Sequence, residues 1–113
     1  MNVIEAGSLV IVHSSNPREK TWGVLVRLDA IGAVVRGMDL NSVEDWRRQQ
    51  RSSEEALIGP STYFLPTHRI QRIDLEESGG QVPSYAERYA EACGRDVREA
   101  LTGIYEEADR CDA

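Results

Sequence analysis

Over the first 75 positions, apolar residues recur with a period of two, in short runs broken by Gly, Pro and Asn. "SLVIVH" (8–13) is short and β-branched, and the "NPREKTW" that follows has the composition of a loop. "WGVLVRLD" (22–29) alternates, with Trp22, Val24, Val26 and Leu28 on one face and Leu25, Arg27 and Asp29 on the other. "AIG" is short enough to join it as a hairpin to "AVVRGM" (33–38). From residue 41 the period changes. Asn41 and Glu44 read as a capping box, "SVEDWRRQQRSSEE" is rich in helix formers, and Val43 and Trp46 share a face, which predicts a helix over 41–52. "IGPS" (58–61) returns the chain to extended structure. "YFLPTHRIQRIDL" (63–75) then reads as two strands around a corner, because Pro66 cannot donate to a ladder and so ends the fourth strand. In the fifth, Gln71, Ile73 and Leu75 share one face, with Arg72 and Asp74 outward.

Beyond Leu75, "EESGGQVPS" is a linker by composition. Ser84 with Glu87 and Asp96 with Glu99 are two further capping boxes, predicting helices over 84–93 and 96–109. The first carries Tyr85, Tyr89 and Ala92 on one stripe, and Gly94 suits its C-terminal cap. The second carries Val97, Leu101, Ile104 and Ala108, with Gly103 weakening it by about 1 kcal/mol. Five short strands suggest a small bent barrel of the SH3 or OB kind, and a single tight turn at Pro66–Arg69 between strands four and five favours the SH3/Sm-like form. The expected architecture is a five-stranded, mainly antiparallel SH3/Sm-like barrel over 1–76 with the helix 41–52 inserted between strands three and four. Residues 77–113 follow as a linker and two helices, packed on the barrel or on a partner subunit.

Short motifs carry a resemblance. "HRIQRI" (68–73) resembles the second Sm motif of the bacterial RNA chaperone Hfq, in which a histidine, one residue, an isoleucine and a later aliphatic follow an aromatic strand. "LVRLDAIGAVVRGMDL" (25–40) is similar to the first Sm motif, and "RGMDLNSVEDW", "FLPTHRI" and "PSYAERY" together resemble a group of small uncharacterised bacterial proteins. The resemblance implies an Sm-like barrel whose edges pair into rings, with His68 as a base or phosphate contact. The Tyr and Lys that precede the histidine in Hfq are Pro66 and Thr67 here, so His68 alone carries over.

Composition narrows the classes. A chain of 113 residues suits one domain, and 41% hydrophobic residues supply a core without disulfide or metal. With no apolar run of membrane-spanning length and no basic leader, a soluble cytoplasmic protein without membrane partners is expected. Cys93 and Cys111 are then expected as free thiols. Residues 1–75 are neutral, whereas 76–113 hold ten acidic and four basic residues and supply the whole net charge of −6. Such a chain repels polyanions as a whole.

The candidate nucleic-acid or partner contacts are Trp46, Arg47, Arg48 and Arg51 in "WRRQQR", with His68, Arg69 and Arg72 at the corner. Glu44 lies three and four residues before Arg47 and Arg48, and Trp46 completes an apolar face with Val43, so pairing and packing are the favoured reading of that helix. His13 and His68, the two histidines, fall short of the three or four ligands a metal needs, and neither cysteine has a CxxC partner. There is no GxSxG elbow and no phosphate loop. No catalytic residue, metal or cofactor is therefore assigned. The expected role is a non-enzymatic interaction or assembly module, a homo-oligomer or partner of another protein, with Val97, Leu101, Ile104 and Ala108 as the oligomer contact. The alternatives are an Sm/Hfq-like RNA-binding protein and a small enzyme without a recognisable motif.

Overall fold

The computed structural model describes residues 3–49, 59–77, 83–93 and 96–102. Its core is one five-stranded antiparallel sheet of β1 (Leu9–Ser14), β2 (Glu19–Asp29), β3 (Gly32–Asp39), β4 (Ser61–Pro66) and β5 (Ile70–Leu75), in the order β4-β3-β2-β1-β5. Helix α1 (Val43–Gln49) follows β3 through a 3₁₀ turn at Leu40–Ser42, and α2 (Tyr85–Cys93) and α3 (Val97–Thr102) follow β5. The chain is thus mainly β with helical extensions, consistent with a small SH3/Sm-like fold. The tails of two predicted helices, 50–52 and 103–109, lie outside the described residues.

The sheet has two buried faces. Val10, Val12, Leu25, Ala33, Val35 and Leu65, with Ile73 and Leu75 beside them, form one cluster drawn from all five strands and from no helix. A flat sheet cannot bury one face against itself, so this sheet is rolled around that cluster. Its corner demands the same. β4 and β5 lie at opposite edges, about 19 Å apart across four strand spacings of a flat sheet. Yet only Thr67–Arg69 separate them, a 3₁₀ turn whose flanking Cα atoms are at most about 15 Å apart. The predicted barrel needs correction here: β4 and β5 do not pair with one another, so the sheet is rolled but not closed.

Two sequence features permit the roll. The β2–β3 register shifts between Leu25 and Arg27, a bulge that bends the strand. This corrects the predicted face of Trp22, Val24, Val26 and Leu28: the first two are buried, and the last two, past the shift, are half-exposed. Gly23 and Gly37 are cross-strand partners on the inner face, and a methyl group on either would collide with the backbone of the other's strand.

The outer face is covered by the helices. Leu9, Trp22, Val24 and Met38 of the sheet pack with Val43 and Trp46 of α1, Tyr89 of α2, and Val97, Ala100 and Leu101 of α3. The Trp46 ring stacks on Tyr89 at 5.5 Å and 6°, and leans on Trp22 at 6.0 Å. Each of these aromatics buries roughly 150–250 Å², worth about 4–6 kcal/mol of transfer free energy before entropy is counted. The predicted caps fare unequally. Ser84 accepts from the Glu87 N–H at 3.0 Å and Asp96 from the Arg98 N–H at 2.9 Å. At the first helix the cap is Asp39, two residues before the predicted Asn41, and it accepts from the Asn41 N–H at 2.8 Å.

Candidate functional site

The corner holds both ends of β2 together. The Thr67 N–H donates to the Ile31 carbonyl at 3.0 Å and its hydroxyl to the Ala30 carbonyl at 2.8 Å, fixing the β2–β3 turn. Two residues on, the Arg69 carbonyl accepts from the Ser15 N–H at 2.9 Å, and its guanidinium donates to the carbonyls of Ser15 and Pro17 in the β1–β2 turn. Straight, the eleven residues of β2 would hold those turns about 34 Å apart. Arg69 also pairs with Glu19 at 3.5 Å, so this predicted contact residue is engaged in architecture. His68 is exposed on the same turn.

Arg72 is exposed, and its Nε lies 3.0 Å from Asp74, whose other oxygen is 2.8 Å from His13 Nε2. A His–Asp pair is the orienting half of general-base machinery. Ser14, next to His13, points to the opposite face by strand alternation and sends its hydroxyl to the Glu19 carbonyl at 3.3 Å, so it is not offered to the ring. The pair was not singled out from the sequence because its members lie 61 positions apart. The available signal was the outward placement of Asp74 together with a β1–β5 pairing.

The "WRRQQR" candidates are placed differently. Trp46 is 2% exposed and stacked within the core, which removes it from any base-stacking role. Arg47 pairs with Glu44 at 2.8 Å, Arg88 of α2 reaches the same carboxylate at 3.3 Å, and Arg48 lies 3.8 Å from Asp45. The hydrogen bond from Arg47, then the charges of Arg47 and Arg88, hold the Glu44 carboxyl below its ordinary value against the opposing effect of burial. Arg51 lies outside the described residues. Of the predicted oligomer contacts, Val97 and Leu101 are buried against this chain's own sheet, which takes them out of that role. Ile104, Ala108 and Cys111 lie outside the described residues, as does the Cys93 side chain.

What the described residues leave uncovered is the pair of sheet edges. β4 pairs only with β3, and β5 only with β1. Tyr63 and Phe64 on β4 are 37% and 51% exposed, large aromatic areas to leave in water. Elsewhere, a cavity of about 650 Å³ opens between Val3, Leu9, Leu75 and Ala90, rimmed by carboxylates. One of these, Glu76, caps α2 by accepting from the N–H groups of Tyr85 and Ala86 at 2.6 and 3.3 Å, and Asp96 is held by Arg98. Among the described residues no three His, Cys, Asp or Glu side chains are grouped to hold a metal ion, and no helix is long and apolar enough to cross a membrane. No family model, curated protein or solved structure matches the chain.

Proposed function

We propose that the protein is a non-enzymatic assembly module that joins to further copies of itself through the edges of its sheet. The observation that carries this reading is the pair of edges β4 and β5, each hydrogen-bonded on one side only among the described residues, with Tyr63 and Phe64 exposed on the first. An unpaired edge is a template for another strand unless it is short, charged or covered. β4 is flat in composition, carrying no charged residue between Ser61 and Pro66.

Light scattering on the full chain over a wide concentration range tests this. The expected result is an oligomer, converted to monomer by Tyr63→Lys with Phe64→Lys, whose charges blunt the edge. An intact chain that stays monomeric at high concentration sinks the reading. The Sm/Hfq-like alternative has the exposed His68 and Arg72 in its favour. Against it stand the burial of Trp46, the pairing of Arg47 and the net charge of −6, since phosphate neutralisation supplies most of such affinity. Single-stranded RNA is therefore expected to bind weakly or not at all at physiological salt. Tight binding that falls steeply with salt, and is lost on combining Arg47→Glu with Arg51→Glu, would install that reading instead. A small enzyme has only the His13–Asp74 pair to recommend it.

A further inference from the structure

We propose that the end of the sheet where Lys20, His13 and Arg72 meet is a binding site for a small phosphate monoester. Register places the three residues. His13 on β1 is opposite Lys20 on β2 and opposite Arg72 on β5, so all three form one row across three strands on a shared face. A concavity of about 220 Å³ opens at this row, with Arg18 and Gln71 at its rim, and a neighbouring dent shares His13, Gln71 and Arg72. At ~30 Å³ per water, the concavity has room for a phosphoryl group and a few waters.

The chain sets its single lysine and an arginine on either side of one histidine, although it is acidic as a whole. Two carboxylates adjoin the row, Glu19 in the lining of the concavity and Asp74 beside it, and each is already paired with basic side chains. Glu19 faces Arg69. Asp74, opposite Ile11 on the same face, holds His13 Nε2 and Arg72 Nε, which fixes the direction of both side chains, and it makes no ion pair with Lys20. Lys20 and Arg18 have no ion-pair partner among the described residues. The terminal nitrogens of Arg72 and the Lys20 ammonium are thus donors arranged around a concavity, with the His13 ring between them, whose free nitrogen donates as well when the ring is protonated. That is the arrangement an anion with several acceptor oxygens satisfies.

A monoester fits better than a nucleic acid. It concentrates a charge of about −1.5 to −2 on one phosphorus, within reach of the whole row. An extended polyanion spreads its charge along the protein, where the net charge of −6 opposes it.

The test follows the His13 ring signals by NMR while the full chain is titrated with inorganic phosphate and, separately, with glycerol phosphate. Both are expected to give saturable shifts that weaken with salt. Lys20→Gln combined with Arg72→Gln should weaken both by roughly a hundredfold, the loss of two charge-assisted hydrogen bonds. Arg48→Gln, an exposed arginine elsewhere, should leave them unchanged. Shifts that never saturate, or that persist undiminished in the double variant, overturn the site. So does a single-stranded RNA oligomer that binds more tightly per phosphate than glycerol phosphate, which would assign the row to nucleic acid.

Discussion

Gly37 is the residue on which the curvature of the sheet most depends. An added methyl group would collide with the Trp22 carbonyl and with Gly23 Cα on the facing strand, and backbone cannot swing aside as a long side chain can. Gly37→Ala is expected to destabilise the fold by about 2–4 kcal/mol, in the range of severe overpacking, as read from the midpoint of urea unfolding. A loss under about 0.5 kcal/mol would mean that the strands can separate there at little cost. Glu44 makes a different kind of test. Its folded carboxyl titrates below the ordinary 4.5 because Arg47 and Arg88 favour the charged form. The stabilisation it supplies is complete above the unfolded value and is lost as pH falls through the folded one. Unfolding followed between neutral pH and about pH 3 should therefore show less acid sensitivity in Glu44→Gln than in the parent chain. Equal slopes would show that the ion pairs contribute nothing, as often happens for half-exposed pairs.

Among the elements, α3 is short but anchored at both ends. Leu101 is fully buried on the outer face of the sheet, and its carbonyl accepts from Arg36 Nε of β3 at 2.9 Å. Leu101→Ala should cost about 2–5 kcal/mol by denaturant unfolding, whereas Glu99→Ala, exposed on the same helix, should cost almost nothing. The corner between β4 and β5 is legible in the sequence because proline excludes most alternatives locally. The bulge at Val26 is not: "WGVLVRLD" is an unbroken alternation, and the slip arises only when β2 must bend to bring its two turns to one corner. The cap at Asp39 is similar, since a 3₁₀ turn placed ahead of α1 moves the orphan N–H groups two residues upstream of where the box pattern puts them. The candidate site was legible only in part. Exposed His68 and Arg72 follow from the corner and the strand period, while the burial of Trp46 depends on Tyr89, 43 positions later, which no local pattern couples to it.

For the molecule as a whole, two layers share one sheet, and two of the three helices of the outer layer, α2 and α3, come from the last third of the chain. A chain ending at Glu77 would keep the inner cluster but leave Trp22, Val24 and Met38 without α2 and α3. Such a chain should aggregate on concentration, as light scattering would register, because an uncovered apolar face of this kind behaves as an association surface. If it stays monomeric and folded, the helices are accessory rather than part of the core. The order β4-β3-β2-β1-β5 also has a consequence in time. A ribosome delivers β1 first, yet β1 receives its second neighbour only when β5 emerges some 60 residues later, and the aromatic layer waits longer still. Until then the nascent chain is a four-strand meander, β1 to β4, with an open edge and with Trp22 and Trp46 not yet covered by Tyr89. Its folding therefore waits until the segments of α2 and α3 have emerged, and the high sequence separation of its contacts makes that step slow for a domain this small.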